Sequence, residues 1–336
     1  EYNIEEMYMR TKNLFIALTM TTAMAAMSAC SNDENETQVV DITKPIELMP
    51  TLTASSTTDT RVTSVKGGQS ATWESGDVVG LQVKAGTYTD FVTRTYSGNG
   101  FGAATKSLYW QNTKDSHTFI AYYPATGSPT SLPATIRVSL PDGNSGTIAY
   151  ATHDALKAVT YMQGTKNSIA TNSKIDIALT HCMSQITVSM TADESHGGNP
   201  ADIDNIDNVQ IEKASGSFYT TATFTPGTGS ISAPAANATK PATQVTTFKD
   251  GGIHYAILIP GEPLPADTKF VITMKDGTTY TYKVTAENAI DSASANTSYD
   301  FGLKLQKGIV TLGSFTVKAW TSIDKEGNAG MDIKNQ

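Results

Sequence analysis

The chain has 336 residues, 39% hydrophobic and 17% charged, with 24 Lys and Arg against 32 Asp and Glu and a formal net charge of −8. That length suits about two domains with cores of their own. The acidic balance, with Arg10, Arg61, Arg94 and Arg137 as the only arginines, excludes a nucleic-acid binder, which needs a basic face to meet phosphates. Two cysteines, Cys30 and Cys182, exclude a disulfide scaffold and a cysteine-rich metal centre.

Residues 1–29 read as an upstream extension followed by an export signal. Glu1, Glu5 and Glu6 precede a short basic start at Arg10 and Lys12, so translation is expected to begin at Met9. Leu14 to Ala26 then form an apolar stretch with the length of a secretory h-region, too short to span about 30 Å of hydrocarbon comfortably. It ends in Met27-Ser28-Ala29-Cys30, which resembles the lipobox of bacterial lipoproteins, where the cysteine is acylated once the signal is removed. Acyl chains bury about 0.8 kcal/mol per CH₂, so several on one residue make a durable anchor. Residues 30–43 hold the acidic run Ser31-Asn32-Asp33-Glu34-Asn35-Glu36 and read as a leash. Similar acidic stretches after the cysteine accompany export to the outer surface in some Gram-negative anaerobes.

From there the chain is a succession of period-2 runs separated by turns. The first, at about 44–53, alternates Ile46, Leu48, Pro50 and Leu52 with Glu47, Met49 and Thr51. A polar linker, 54–61, follows and ends at Arg61; polar linkers are where proteolysis concentrates. Further runs are expected at 79–83, 118–123, 136–140, 175–179 and 186–190, with one short helix near 154–161. The Gly/Asn/Pro-rich stretch 191–201 reads as an inter-domain joint. The second half repeats the habit at 208–211, 255–259, 270–274, 299–305 and 315–317. Lys275-Asp276-Gly277-Thr278 is the clearest hairpin turn. Each such strand has one apolar side to bury, so the expectation is an all-β chain of two antiparallel sandwiches, 44–190 and 202–336.

Candidate chemistry is sparse. His117, His153, His181, His196 and His254 show neither an HExxH pattern nor i, i+4 pairing, and the strand-borne His181 and His254 read as packed side chains rather than ligands. Cys182 adjoins His181, but neighbours on a strand point to opposite faces, so a Cys–His couple is not expected. Asp202, Asp204 and Asp207 suggest a calcium loop, yet an EF-hand's Gly and terminal Glu are missing. No nucleophile elbow, phosphate-binding loop or catalytic carboxylate pair stands out. No enzyme activity, cofactor or metal is therefore expected. Trp73, Trp110, Tyr122, Tyr123 and Trp320 are spread along the chain and read as packing residues.

Several segments in order carry a resemblance: Thr60-Arg61-Val62-Thr63, Thr72-Trp73-Glu74-Ser75-Gly76-Asp77, Phe119-Ile120-Ala121-Tyr122-Tyr123-Pro124, Leu179-Thr180-His181-Cys182, and Ser298 to Leu305 followed by Phe315 to Trp320. With the lipobox, they are similar to fimbrillin-family proteins, the Bacteroidetes-type major-fimbria subunits. The resemblance implies two transthyretin-like, Greek-key sandwiches with a few short helices, made as a palmitoylated lipoprotein precursor. It implies assembly into a surface fimbria for adhesion once a protease removes the first strand and a neighbour's strand fills the groove. Cleavage would fall between Arg61 and Val62, because Arg94 and Arg137 lie inside expected strands. The strand removed would carry Ile46, Leu48 and Leu52. The candidate donor, within 309–333, carries Phe315, Val317 and Ala319. Expected partners are other fimbrial subunits, outer-membrane lipid through acylated Cys30, the processing protease, and a host or bacterial surface ligand. The alternative is a surface-anchored glycan-binding lipoprotein, which should expose a cluster of aromatics on one face.

Overall fold

Short runs with one apolar side cannot hold alone in water; they need hydrogen-bonded neighbours and a second layer. The computed structural model describes residues 39–52, 73–102, 104, 106–143, 146–232 and 242–320. In chain order its strands are β1 (Leu48–Leu52), β2 (Val78–Ala85), β3 (Tyr88–Thr95), β4 (His117–Tyr123), β5 (Ile136–Ser139), β6 (Thr147–Ala149), β7 (Met162–Ser168), β8 (Ile175–His181), β9 (Ser184–Ala192) and β10 (Ile206–Glu212). They continue with β11 (Thr221–Thr225), β12 (Ser230–Ser232), β13 (Gln244–Thr246), β14 (Phe248–Asp250), β15 (Ile253–Leu258), β16 (Lys269–Met274), β17 (Thr279–Lys283), β18 (Thr297–Gln306) and β19 (Ile309–Ala319). Two helices accompany them, α1 (His153–Lys157) and α2 (Pro200–Asp204). The chain is all-β, as the alternation predicts.

Among the described residues these strands form a six-stranded sheet in the order β1-β8-β7-β4-β2-β3, a five-stranded sheet β17-β16-β10-β13-β6, a three-stranded sheet β12-β11-β5 and a second five-stranded sheet β14-β15-β9-β18-β19. The two five-stranded sheets share a core, with Phe270 on β16 meeting Phe301 on β18 at 4.6 Å between ring centroids. One face of the six-stranded sheet meets the three-stranded sheet, where Tyr122 and Tyr161 both contact Phe224. Its other face is aligned by register: Leu81 opposite Ala121, Val83 opposite Phe119, and Leu48 opposite Ile175. The β16–β17 hairpin turns where expected, with the Gly277 N–H donating to the Met274 carbonyl and Gly277 at φ +87°, a left-handed conformation open to glycine.

Three expectations need correction. Residues 184–190, assigned to the first sandwich, lie at the centre of the second five-stranded sheet, paired with β15 and β18. Cys182 and Met183, the two-residue link before β9, are buried and carry the chain from one sheet to another. The stretch 191–201 therefore follows the crossover instead of making it. Likewise β5 pairs with β11 and β6 with β13, so first-half strands complete second-half sheets. Pairing is not uniformly antiparallel either, since β1–β8, β6–β13 and β9–β18 run parallel. One of the few short helices, α2, falls across the end of the 191–201 stretch; Asn199 caps it by accepting from the Ala201 N–H, with Pro200 at its first position.

The Trp73 to Asp77 segment has a plain physical task. Gly76, at φ +98°, turns the chain into β2. Buried Asp77 accepts from the Glu74 N–H at 2.7 Å and from the Tyr123 hydroxyl at 2.9 Å, and Lys157 of α1 reaches it at 2.8 Å. Burial, then the Asp77 charge, holds the Tyr123 phenol well above its usual pKa. This network ties the start of β2 to the only first-half helix among the described residues.

Candidate functional site

The sequence singles out the leading strand, and the structure makes it an edge. β1 pairs with β8 alone, in parallel, with Leu48, Pro50 and Leu52 opposite Ile175, Ile177 and Leu179. Ile46, Leu48 and Pro50 are buried while Glu47 is exposed and Leu52 half-buried. Alternation on a strand sends 46, 48 and 50 to the covered face of the sheet. Pro50 fits because an edge strand has one side on which a missing N–H goes unmissed. Burial of three such side chains stabilises by about 1.5–3 kcal/mol each, gross.

The two ends of this strand differ. At the first, the Ile46 N–H donates to the Leu108 carbonyl at 2.8 Å and the Ile175 N–H donates to the Glu47 carbonyl at 2.9 Å, so the chain is held from both sides. Leu108 and Trp110 are buried, and the Trp110 ring stands edge-on to Phe119 at 5.3 Å and to His117 at 4.9 Å. His117 anchors this loop: its Nδ1 donates to the Asp115 carbonyl and its Nε2 accepts from the Gln111 N–H, both at 2.9 Å. On the far side of β8, Gly164 of β7 makes room, since a Cβ there would lie 2.1 Å from the Ala178 carbonyl oxygen.

At the other end, Leu52 faces Leu179, two residues before His181. Here the C-terminal strand arrives. The Trp320 ring stacks on His181 at 3.8 Å with the planes 3° apart, and the Trp320 N–H donates to the Asn296 carbonyl at 2.7 Å. Burial draws the His181 pKa down to about 3, and its Nδ1 has no hydrogen-bond partner among the described residues. Sequence reading has Trp110 as a packing residue but missed Leu108 and this seam. Leu108-Tyr109-Trp110 is too short a run to show a period, and a stack between residues 139 positions apart leaves no local trace.

The remaining singled-out residues are placed as follows. Phe315, Val317 and Ala319 lie on β19, in register with Phe301, Tyr299 and Thr297 of β18, and Phe315 contacts Phe301 at 4.7 Å. Arg94 lies in β3 and Arg137 in β5. Cys30, the 54–61 linker, Arg61, Val62 and residues 321–336 lie outside the described residues. Cys182 is buried, its thiol pushed up to about 12 by desolvation, and its S–H points to the Thr180 carbonyl rather than to a histidine. His254 is buried and shares a hydrogen bond with Thr247 at 3.1 Å. Asp202 and Asp204 sit on α2, and Asp207 on β10. Trp110, Tyr122, Tyr123 and Trp320 are buried, while half-buried Trp73 packs edge-on against Phe101 and Tyr123.

Known structures share this architecture. A crystal structure described as a cell adhesion protein from Bacteroides uniformis aligns with TM-score 0.57 and 20% identity, covering 74% of this chain and 93% of that one. Another so described, from Bacteroides ovatus, aligns with TM-score 0.60 and 18% identity, covering 84% and 99%. At these identities the likeness is one of fold. Family membership comes from the sequence: residues 60–320 match the fimbrillin-like family, and the chain belongs to it. A Bacteroides uniformis protein named as a fimbrium subunit, Fim1C, is 24% identical over 281 residues, 79% of this chain and 82% of that protein.

Proposed function

We propose that this chain is a structural subunit of a surface fimbria that assembles by strand exchange. In this reading it is exported as a precursor acylated at Cys30 and held in outer-membrane lipid. A protease cuts between Arg61 and Val62, β1 leaves, and a neighbouring subunit's strand takes its place. The observation that carries the proposal is the position of β1: an edge strand of five paired residues, contributing its own apolar row to a shared core, immediately ahead of the segment containing Arg61. Losing it would strip β8 of hydrogen-bond partners at about 1 kcal/mol each and uncover the apolar side of Ile177 and Leu179. A strand added from outside restores both without new chemistry.

The donor follows Trp320 in this proposal. Giving up β19 itself would undo its ten register pairs with β18 and the Phe315–Phe301 contact. Partners are thus other fimbrial subunits, the processing protease, and a host or bacterial surface ligand. The glycan-binding alternative gains no support from the aromatics, since four of the five named are buried. The test is treatment of the purified precursor with an Arg-specific protease. N-terminal sequencing should read Val62-Thr63-Ser64, and an unheated gel should show a ladder; cleavage without any ladder would reject strand exchange.

A further inference from the structure

We infer that the cleft between the edge strands β5 and β6 binds one acidic sugar residue, a pyranose bearing a carboxylate, with Arg137 as the group that reads the carboxylate. This deepens the surface-ligand part of the fimbrial reading and rests on that part alone; strand exchange has no role in it.

The site begins on the three-stranded sheet. Alternation on β5 sends Val138 inward, fully buried, and leaves Arg137 and Ser139 exposed on the outer face. β11 divides in the same way: Ala222 and Phe224 are buried, while Thr223 lies opposite Arg137 and Thr221 opposite Ser139. Ser232 of β12 continues the row beside Thr223. The outer face is thus a field of hydroxyls around one guanidinium. Among the described residues Arg137 meets no carboxylate; its Nε donates to the Ser139 hydroxyl at 3.4 Å, which leaves the two terminal nitrogens available.

Just past β5 the chain turns into the wall of a cleft of about 240 Å³. The Leu140 N–H donates to the Thr220 carbonyl and the Gly143 N–H to the Thr147 carbonyl, both at 2.8 Å, and the Thr243 N–H donates to the Gly146 carbonyl at 2.9 Å. Backbone bonds therefore fix the walls before any ligand arrives, which lowers the ordering cost of binding. Leu140, Ile148 and Ala242, all buried, supply the apolar lining. Arg137, Ser139, Asp142, Thr147 and Thr220 supply the polar groups.

Each part narrows the ligand. The terminal nitrogens of a guanidinium match a carboxylate in a two-bond fork. A pyranose ring presents C–H groups to the apolar lining and hydroxyls to its surroundings. Serine and threonine hydroxyls both donate and accept, and the Asp142 carboxylate accepts from more than one donor. That same carboxylate, in a chain of net charge −8, opposes a phosphate dianion or a polyanion. Pockets for drug-sized ligands run from about 300 to 1,000 Å³; this smaller cleft has room for one sugar at the end of a chain. A peptide's C-terminal carboxylate would also reach Arg137, but its N–H groups need acceptors, and the Thr147, Gly146 and Thr220 carbonyls already accept within the walls.

Saturation-transfer NMR on the purified precursor tests this with glucuronic acid, N-acetylneuraminic acid, neutral glucose, inorganic phosphate and a short peptide with a free C-terminus. At least one acidic sugar should bind with a Kd of about 1 mM, roughly tenfold tighter than glucose, and comparison of the two separates uronic from nonulosonic acids. Arg137→Gln should bring the acidic sugar down to the level of glucose. Arg137→Lys should recover little of the loss, because an ammonium lacks the fork. Lys84→Gln, a change of the same charge at an exposed position of β2, should leave binding intact. Equal binding of glucose and the acidic sugars, no binding of either, or an unaffected Arg137→Gln variant overturns the inference. Tighter binding of phosphate or of the peptide overturns the choice of a sugar. A precursor that binds no sugar yet forms ladders after cleavage at Arg61 defeats this inference and spares strand exchange; one that binds the sugar but never forms ladders does the reverse.

Discussion

β1 and β19 are both edge strands, and they are held in unlike ways. β1 pairs over five residues with one neighbour, and its grip comes from Ile46, Leu48 and Pro50 dropped onto a face shared with β8 and the Leu108 loop. β19 pairs over ten residues, bulges at Gly313 where the register passes from Ser314 to Leu312, and is fastened by Phe315 on Phe301, Lys318 on Asp300 and Trp320 on His181. A short strand seated by a few apolar side chains can leave and be replaced by another with the same alternation. A strand bolted along its length and at its end cannot leave without opening its own sheet.

The strongest way to break this comparison is at the bolt. Trp320→Ala removes a buried indole between two sheets and should cost about 3–5 kcal/mol, read as a lower urea midpoint with an unchanged slope. A loss below about 1 kcal/mol would mean that β19 is no better fastened than β1. Leu48→Ala should cost about 2–5 kcal/mol in the unprocessed chain. If strand exchange removes β1, that effect should vanish in the processed protein; a mutation that weakens it equally would mean that β1 stays in place.

Acid probes the same corner more gently. Burial lowers His181 to about 3, and burial with the Lys249 charge lowers His254 to about 4, whereas both take up protons near 6.5 in the unfolded chain. The unfolded state therefore binds more protons below that pH. Stability is full above about 6.5 and falls as pH drops toward 4, by at most about 1.4 kcal/mol per unit for each histidine. Trp320→Ala exposes His181 but not His254, so the variant's pH slope between 6 and 4.5 should be about half that of the wild type. An unchanged slope would show that the stack does not shelter His181.

What the sequence revealed follows the same division. Local alternation identified β1, and local turn chemistry identified the β16–β17 hairpin, because in each a few adjacent residues fix both conformation and the buried side. Sheet membership was not legible. Its place in the chain puts β9 in the first sandwich, yet Met183 and its buried neighbours take it into another sheet. β6 is three residues long, and what defines it is its parallel pairing with β13, a strand about a hundred residues away, together with an isolated bridge from Ile148 to Asp142. The corner that gives the candidate site its two ends joins His181 to Trp320, and sequence distance hides such a contact completely.

The smallest effect separates the two kinds of grip most sharply. Glu47, just ahead of β1, and Lys174, just ahead of β8, form an ion pair at 3.1 Å, with side chains 55% and 59% exposed. Pairs this open gain little over hydration and are screened by salt. Glu47→Gln should therefore change stability by no more than about 0.5 kcal/mol, and 1 M salt should change it no further. If β1 is seated by its apolar row, neither treatment should release it from the nicked precursor, as read by co-migration of the fragment ending at Arg61 on a native column. Release by salt, or by the Gln variant alone, would mean that charge rather than Ile46, Leu48 and Pro50 holds the strand, and an incoming segment would then be selected by its acidic residue instead of its alternation.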